Sequence, residues 1–130
     1  MLKIPAFIKD EIFYLAKKDC PLESCGYLAG INDEIKAIFP MTNIDQSPEH
    51  FSFDPREQFQ VVKEARKRGL DLIAVYHSHP TSPARLSEED IRLANDPSII
   101  YIVCSLLNNE IKAFKIDSAK KVTEERLEVL

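Results

Sequence analysis

The chain contains no Cys-x-x-Cys pair, and its cysteines are three in number, Cys20, Cys25 and Cys104. An odd count at these spacings indicates neither a disulfide framework nor a thiolate zinc site, so all three read as reduced thiols. Cys104, inside "IIYIVCSLL", reads as a small buried hydrophobe. No run approaches the roughly 18 consecutive apolar residues that a bilayer span needs, and "MLKIPAFIKDEIFYLAKKD" is broken by charges every few positions, which excludes a signal-peptide core. A block of basic residues is also lacking: 17 Lys and Arg stand against 21 Asp and Glu, for a net charge of −4. The phosphate-neutralising footprint of a nucleic-acid binder is therefore missing, and neither nucleic acid nor membrane is an expected partner. A cytoplasmic location is expected. Repeats, linkers and low-complexity tracts are absent. The 130 residues, 45% of them hydrophobic, suffice for one core and not two, so residues 1–130 are expected to form one domain.

What is present reads as alternating strands and helices. A short strand at "LKI" leads into a helix from Pro5 to Cys20, whose apolar face is Phe7, Ile8, Ile12, Leu15 and Ala16, with Pro5 in the first turn. "SCGYLAGI" and "EIKAIFPM" form a hairpin about Asn32-Asp33, and "HFSFD" follows as a short alternating strand. Asp54 caps a second helix with Pro55 at its first position, Gly69 closes it, and Phe59, Val62 and Ala65 or Arg66 mark its amphipathic face. "LDLIAVY" has the continuous apolarity of a strand covered on both faces. A third helix starts near Ser87, "IIYIVCSLL" and "EIKAFKI" pair around Asn108-Asn109, and "VTEERLEVL" supplies one last strand. The fold class is α/β, with two to three helices packed on a mixed central sheet of about six to eight strands.

Chemistry concentrates in "YHSHPTSPARLSEED", Tyr76 to Asp90. Residues two apart in a strand share a side, so His77 and His79 project together while Ser78 faces away. Residues three apart share a helical face, so Ser87 and Asp90 do the same, and "PTSPARL" is long enough to fold that helix back over the strand end. Two imidazoles and a carboxylate can then converge as ligands for Zn²⁺, leaving a fourth position for water. Polar strand-end histidines and a plain helix cap, with Asp90 at its third position, remain the alternative. Their conjunction at the exit of the most apolar strand favours the metal. Other His-x-His sites fit less well. A barrel amidohydrolase needs roughly 200 residues or more, a double-stranded β-helix site wants a Glu where Pro80 to Leu86 has no acid, and a nucleotide-transferase triad wants a third His where Thr81 stands.

The pattern resembles the JAMM metalloproteases, or MPN-plus domains: an upstream Glu, then His-x-His, seven residues, Ser, two residues, Asp. His77 to Asp90 match without a gap, "PLESCGYLAG" supplies Glu23 in the family's Pro-x-Glu-x-Cys-Gly-x-Leu-x-Gly strand, and "SPEHFSFDPREQF" resembles the middle segment of the small prokaryotic members. The resemblance spans nearly the whole chain and implies a single MPN-type domain. It implies His77, His79 and Asp90 as zinc ligands, Glu23 as general base and proton shuttle, and Ser87 as a stabiliser of the oxyanion. Leu86 stands where many relatives have Pro, and Ala74-Val75 where Gly is frequent, with no ligand lost. Cys25 matches a common family cysteine and is assigned to packing.

The implied reaction is hydrolysis of the peptide or isopeptide bond after the C-terminal Gly-Gly tail of a ubiquitin-like or sulfur-carrier protein. A chain of 130 residues leaves little room for the insertions with which eukaryotic members grip a second ubiquitin. A slim Gly-Gly tail is expected to add as a strand at a sheet edge. The rival readings are a zinc hydrolase of other small amides or peptides, and a metal-binding MPN scaffold without catalysis.

Overall fold

A computed structural model describes residues 1–130. Strand β1 (Leu2–Ile4) is followed by helix α1 (Ala6–Asp19), the hairpin of β2 (Cys25–Ile31) and β3 (Glu34–Met41), helix α2 (Pro55–Lys67), strand β4 (Asp71–His79) and helix α3 (Glu88–Leu93). The chain closes with β5 (Ile100–Ser105), β6 (Glu110–Ile116), β7 (Val122–Glu125) and β8 (Leu127–Val129). All eight strands belong to one mixed sheet, ordered β7-β6-β5-β4-β2-β3-β1-β8. Pairing is parallel for β4 with β5 and for β1 with β3 and β8, and antiparallel elsewhere.

Alternation along β4 divides the molecule. Ala74 and Tyr76 join Leu28, Ile102, Cys104 and Ala113 in the core, against Ile8, Ile12 and Ala16 of α1. Of the five residues expected on the face of α1, these three are fully buried, while Phe7 is exposed and Leu15 half-buried. Val75, His77 and His79 face the opposite side, where Gln58 of α2 donates to the hydroxyl of Tyr27 (3.1 Å). Gly26 leaves room for its neighbours in the sheet: a Cβ there would collide with the Phe39 carbonyl oxygen and the Tyr76 ring.

Three elements differ from expectation. Residues 50–54 form no strand; only a bridge from Asn43 to Phe53 exists, because the side chain of Asn43 takes the backbone bonds of this segment. The apolar face read on α2 is not a buried face: Phe59 is 66% exposed and Val62 is exposed, leaving Ala65 alone buried. The helix meets the rest of the protein through polar contacts, Gln58 with Tyr27 and Glu57 with Thr42. "VTEERLEVL" is two strands, not one, divided at Arg126 and placed at opposite ends of the sheet order.

Candidate metal centre

The antiparallel register of β2 on β4 sets Cys25 opposite His77, so Glu23 comes to lie across from His79 although 56 residues separate them. Ser78 fixes this junction from the other side of the strand, its N–H donating to the Ser24 carbonyl (2.9 Å) and its Oγ accepting from the Ser24 N–H (2.8 Å). Glu23 is 2% exposed, with Oε2 at 4.0 Å from His79 Nε2 and Oε1 without a partner.

The remaining members arrive with α3. Ser87 caps it by accepting from the Asp90 N–H (3.0 Å), and Asp90 Oδ2 accepts in return from the Ser87 N–H (2.9 Å). The helix-cap reading of Ser-Glu-Glu-Asp is thus what the structure shows, and the same cap turns the Asp90 carboxylate back onto β4. Asp90 Oδ2 lies 3.1 Å from His77 Nε2 and 3.3 Å from His79 Nε2, and the two Nε2 atoms are 3.1 Å apart. A tetrahedral ion bonded at about 2.0–2.1 Å separates two ligand atoms by roughly 3.3 Å. The triangle therefore fits a metal ion, and these are the three residues whose donor atoms gather within 4.8 Å.

The titration behaviour follows from the surroundings. Burial in a pocket that gives Oε1 no donor raises the Glu23 pKa to about 8, against which His79 pulls only partly back. Asp90 is also desolvated, yet the hydrogen bonds from His77 and His79 outweigh that and hold it well below the carboxylate range. For His79 burial acts downward and is overcome by Asp90 and by the Pro83 carbonyl, so its pKa is raised. Burial pushes the Cys25 thiol up to about 12, and its Sγ faces the Met41 carbonyl oxygen, consistent with packing.

Sequence reasoning missed several neighbours. Phe51 stacks on the His77 imidazole, with ring centroids 4.8 Å apart. Asn43, 8% exposed, ties together the loop that carries Phe51. Phe51 and Phe53 do share a side, as their alternation indicated, and line a groove of about 390 Å³ with Tyr27, Val75, Leu93 and Tyr101, bounded by His77 and Asp90. On the far side of the ligand triangle Glu23, His79 and Ser87 border a second cleft of about 630 Å³ with Glu49, Arg85 and Glu88, lined by no hydrophobic side chain. β4 itself has no free edge, since β2 and β5 flank it.

Among proteins of known sequence, a CysO-cysteine peptidase of Mycobacterium tuberculosis is 32% identical over 136 residues, covering 100% of this chain and 92% of its own. A desampylase of Haloferax volcanii is 32% identical over 111 residues, covering 80% of each chain. The solution structure of a protein from Desulfitobacterium hafniense superposes with a TM-score of 0.91 at 40% identity, covering 100% of this chain and 93% of that one. The family model for prokaryotic homologs of the JAB domain matches residues 5–117. That match runs from the residue before α1 to the one after β6 and takes in both halves of the site, and so the chain belongs to the prokaryotic JAB, or JAMM, family.

Proposed function

We propose that the chain is a zinc peptidase that hydrolyses the bond following the C-terminal Gly-Gly tail of a ubiquitin-like or sulfur-carrier protein. The observation that carries this reading is the buried, unpartnered carboxyl of Glu23 beside a triangle of three metal donors, where an apolar groove meets a polar cleft. His77, His79 and Asp90 hold the ion. Bound there, Zn²⁺ would supply a water acidified toward neutrality and a Lewis acid for the scissile carbonyl.

The chain's own groups supply the proton traffic and the geometry. Glu23, buried beside the triangle with one carboxylate oxygen unpartnered, accepts a proton during attack and passes it to the leaving amine. Because Glu23 borders the polar cleft, the amine side of the substrate sits there, and the acyl tail occupies the aromatic groove that ends at His77 and Asp90. The Ser87 oxygen accepts from the Asp90 N–H, which leaves its own hydrogen available to donate to the developing oxyanion. The relatives named CysO-cysteine peptidase and desampylase support this substrate class.

The test is to incubate the zinc-loaded protein with several ubiquitin-like sulfur carriers bearing short extensions beyond Gly-Gly, with linked diubiquitin and small amides alongside, and to read product masses. Carriers trimmed back to Gly-Gly are expected. Cleavage of the small amides alone would overturn the substrate assignment.

A further inference from the structure

The two histidines of the triangle are held differently. His79 presents Nε2 because its Nδ1 is engaged by the Pro83 carbonyl oxygen at 3.0 Å. A ligand histidine ordinarily has such an acceptor on its second nitrogen, which fixes both tautomer and ring plane. His77 lacks one: its Nδ1 is buried and has no partner. Its ring is instead faced by Phe51, stacked at 4.8 Å with planes 27° apart.

Phe51 is in turn anchored. Asn43 donates the two hydrogens of Nδ2 to the carbonyls of Glu23 (3.1 Å) and His50 (3.0 Å), with the Ser47 carbonyl at 3.4 Å, and its Oδ1 accepts from the Asp45 and Ser52 N–H groups (3.1 and 3.3 Å). Glu23 closes the circuit by donating its N–H to the Ser47 carbonyl at 2.9 Å. One buried carboxamide thus fixes the backbone on both sides of Phe51 and the backbone of Glu23.

Resting on the zinc reading above, we propose that Phe51, locked by Asn43, is a positioning residue for the metal: its ring holds the His77 imidazole in its ligating plane in place of the missing hydrogen-bond acceptor. Asn43 couples that plane to the placement of Glu23, so the loop acts on metal affinity and on proton transfer together. Phe53 provides the comparison, because it packs on Phe51 and Tyr27 but does not stack on either histidine.

The experiment measures zinc affinity by chelator competition in the native protein, His77→Ala, Phe51→Leu, Phe51→Trp and Phe53→Leu, with melting of each metal-free form. Phe51→Leu should weaken zinc binding about 10-fold or more, the lower end for lost support of a ligand histidine. Phe51→Trp should restore most of the affinity, and Phe53→Leu should leave it within about 2-fold of native, a bound set well below that 10-fold loss. Unchanged affinity in Phe51→Leu, or equal losses in Phe51→Leu and Phe53→Leu, would overturn the proposal. A second readout needs no variant: in long-range ¹H–¹⁵N spectra of the zinc-loaded protein, the His77 Nδ1 proton should resonate as free of a hydrogen bond, and a strongly bonded signal would overturn the proposal equally. If His77→Ala binds zinc as tightly as native, the zinc reading itself fails, which separates that failure from failure of the Phe51 role.

Discussion

Two carboxyl groups sit within 4.0 Å of one imidazole nitrogen, that of His79, and are driven in opposite directions. Asp90 receives both histidines and the Ser87 N–H, so its charged form is solvated by donors. Glu23 has an oxygen with no donor, so burial favours its neutral form up to about pH 8. On the reading proposed above, Asp90 is the ligand and Glu23 the group that transfers the proton. Exchanging Glu23→Gln should accordingly leave zinc content at the native level while kcat falls by about 10²–10⁴. Loss of zinc in that variant would place Glu23 among the ligands instead. Ser87→Ala separates its two roles when melting and kcat are read on the same sample: loss of the cap costs about 1 kcal/mol, and loss of an oxyanion donor lowers kcat by roughly 10²–10³.

The same groups fix how the metal-free protein responds to pH. Between 4.5 and about 8 native Glu23 keeps a proton that the unfolded chain has released, so its contribution to stability declines as pH rises through that window. His79, raised above 6.5, contributes below 6.5 and loses its contribution as pH rises further, whereas depressed Asp90 contributes above its ordinary 3.8. Chelator-stripped protein should therefore lose on the order of a few kcal/mol between pH 5 and 8, with a smaller loss in Glu23→Gln. A melting temperature that rises over this range would contradict the assignment. Zinc affinity should run the other way, since the ion competes with protons for its ligands.

At the scale of elements, what was legible depended on local periodicity. The period of two along β4 put His77 and His79 on one side, and the cap of α3 placed Ser87 with Asp90. Both signals are written in adjacent residues. The position of Glu23 is set by the β2–β4 register and is visible in sequence only through the family pattern. The exposure of Phe59 and Val62 could not be read, because their spacing states which residues share a face of α2 and not what covers it. Nor could the fate of "HFSFD", where alternation gave the common side of Phe51 and Phe53 but a buried side chain, Asn43, displaced strand pairing. The register does make one prediction at Gly26. Gly26→Ala would press a Cβ against the Phe39 carbonyl and the Tyr76 ring, so it should destabilise by about 1–3 kcal/mol in urea titrations. A neutral effect would mean that β2 and β3 separate without cost.

For the molecule as a whole, the least legible feature is the division of residues 122–129. Only Arg126 separates β7 from β8, yet these strands stand at the two ends of the sheet order, so one short stretch carries both edges. The Leu2 N–H donates to the Arg126 carbonyl (2.8 Å) and the Leu130 N–H to the Ile4 carbonyl (2.9 Å). No local pattern in "VTEERLEVL" announces this, because β7 pairs with the neighbouring β6 whereas β8 pairs with β1, from the other end of the chain. Amide exchange at Leu2 and Leu130 should be slowed toward the limit of global unfolding, and exchange at the rate of frayed ends would show that the β1–β8 pairing does not hold in solution. On the proposed reading, hydrolysis depends on one metal held where the groove and the cleft border the ligand triangle. Zinc should be removed by chelation, returned in measured equivalents, and the rate of release from an extended carrier followed at each step. No release without metal, a linear rise and a plateau at one zinc per chain are expected; release that survives stripping, or a His77→Ala variant that follows the native curve, would show that hydrolysis does not depend on this ion.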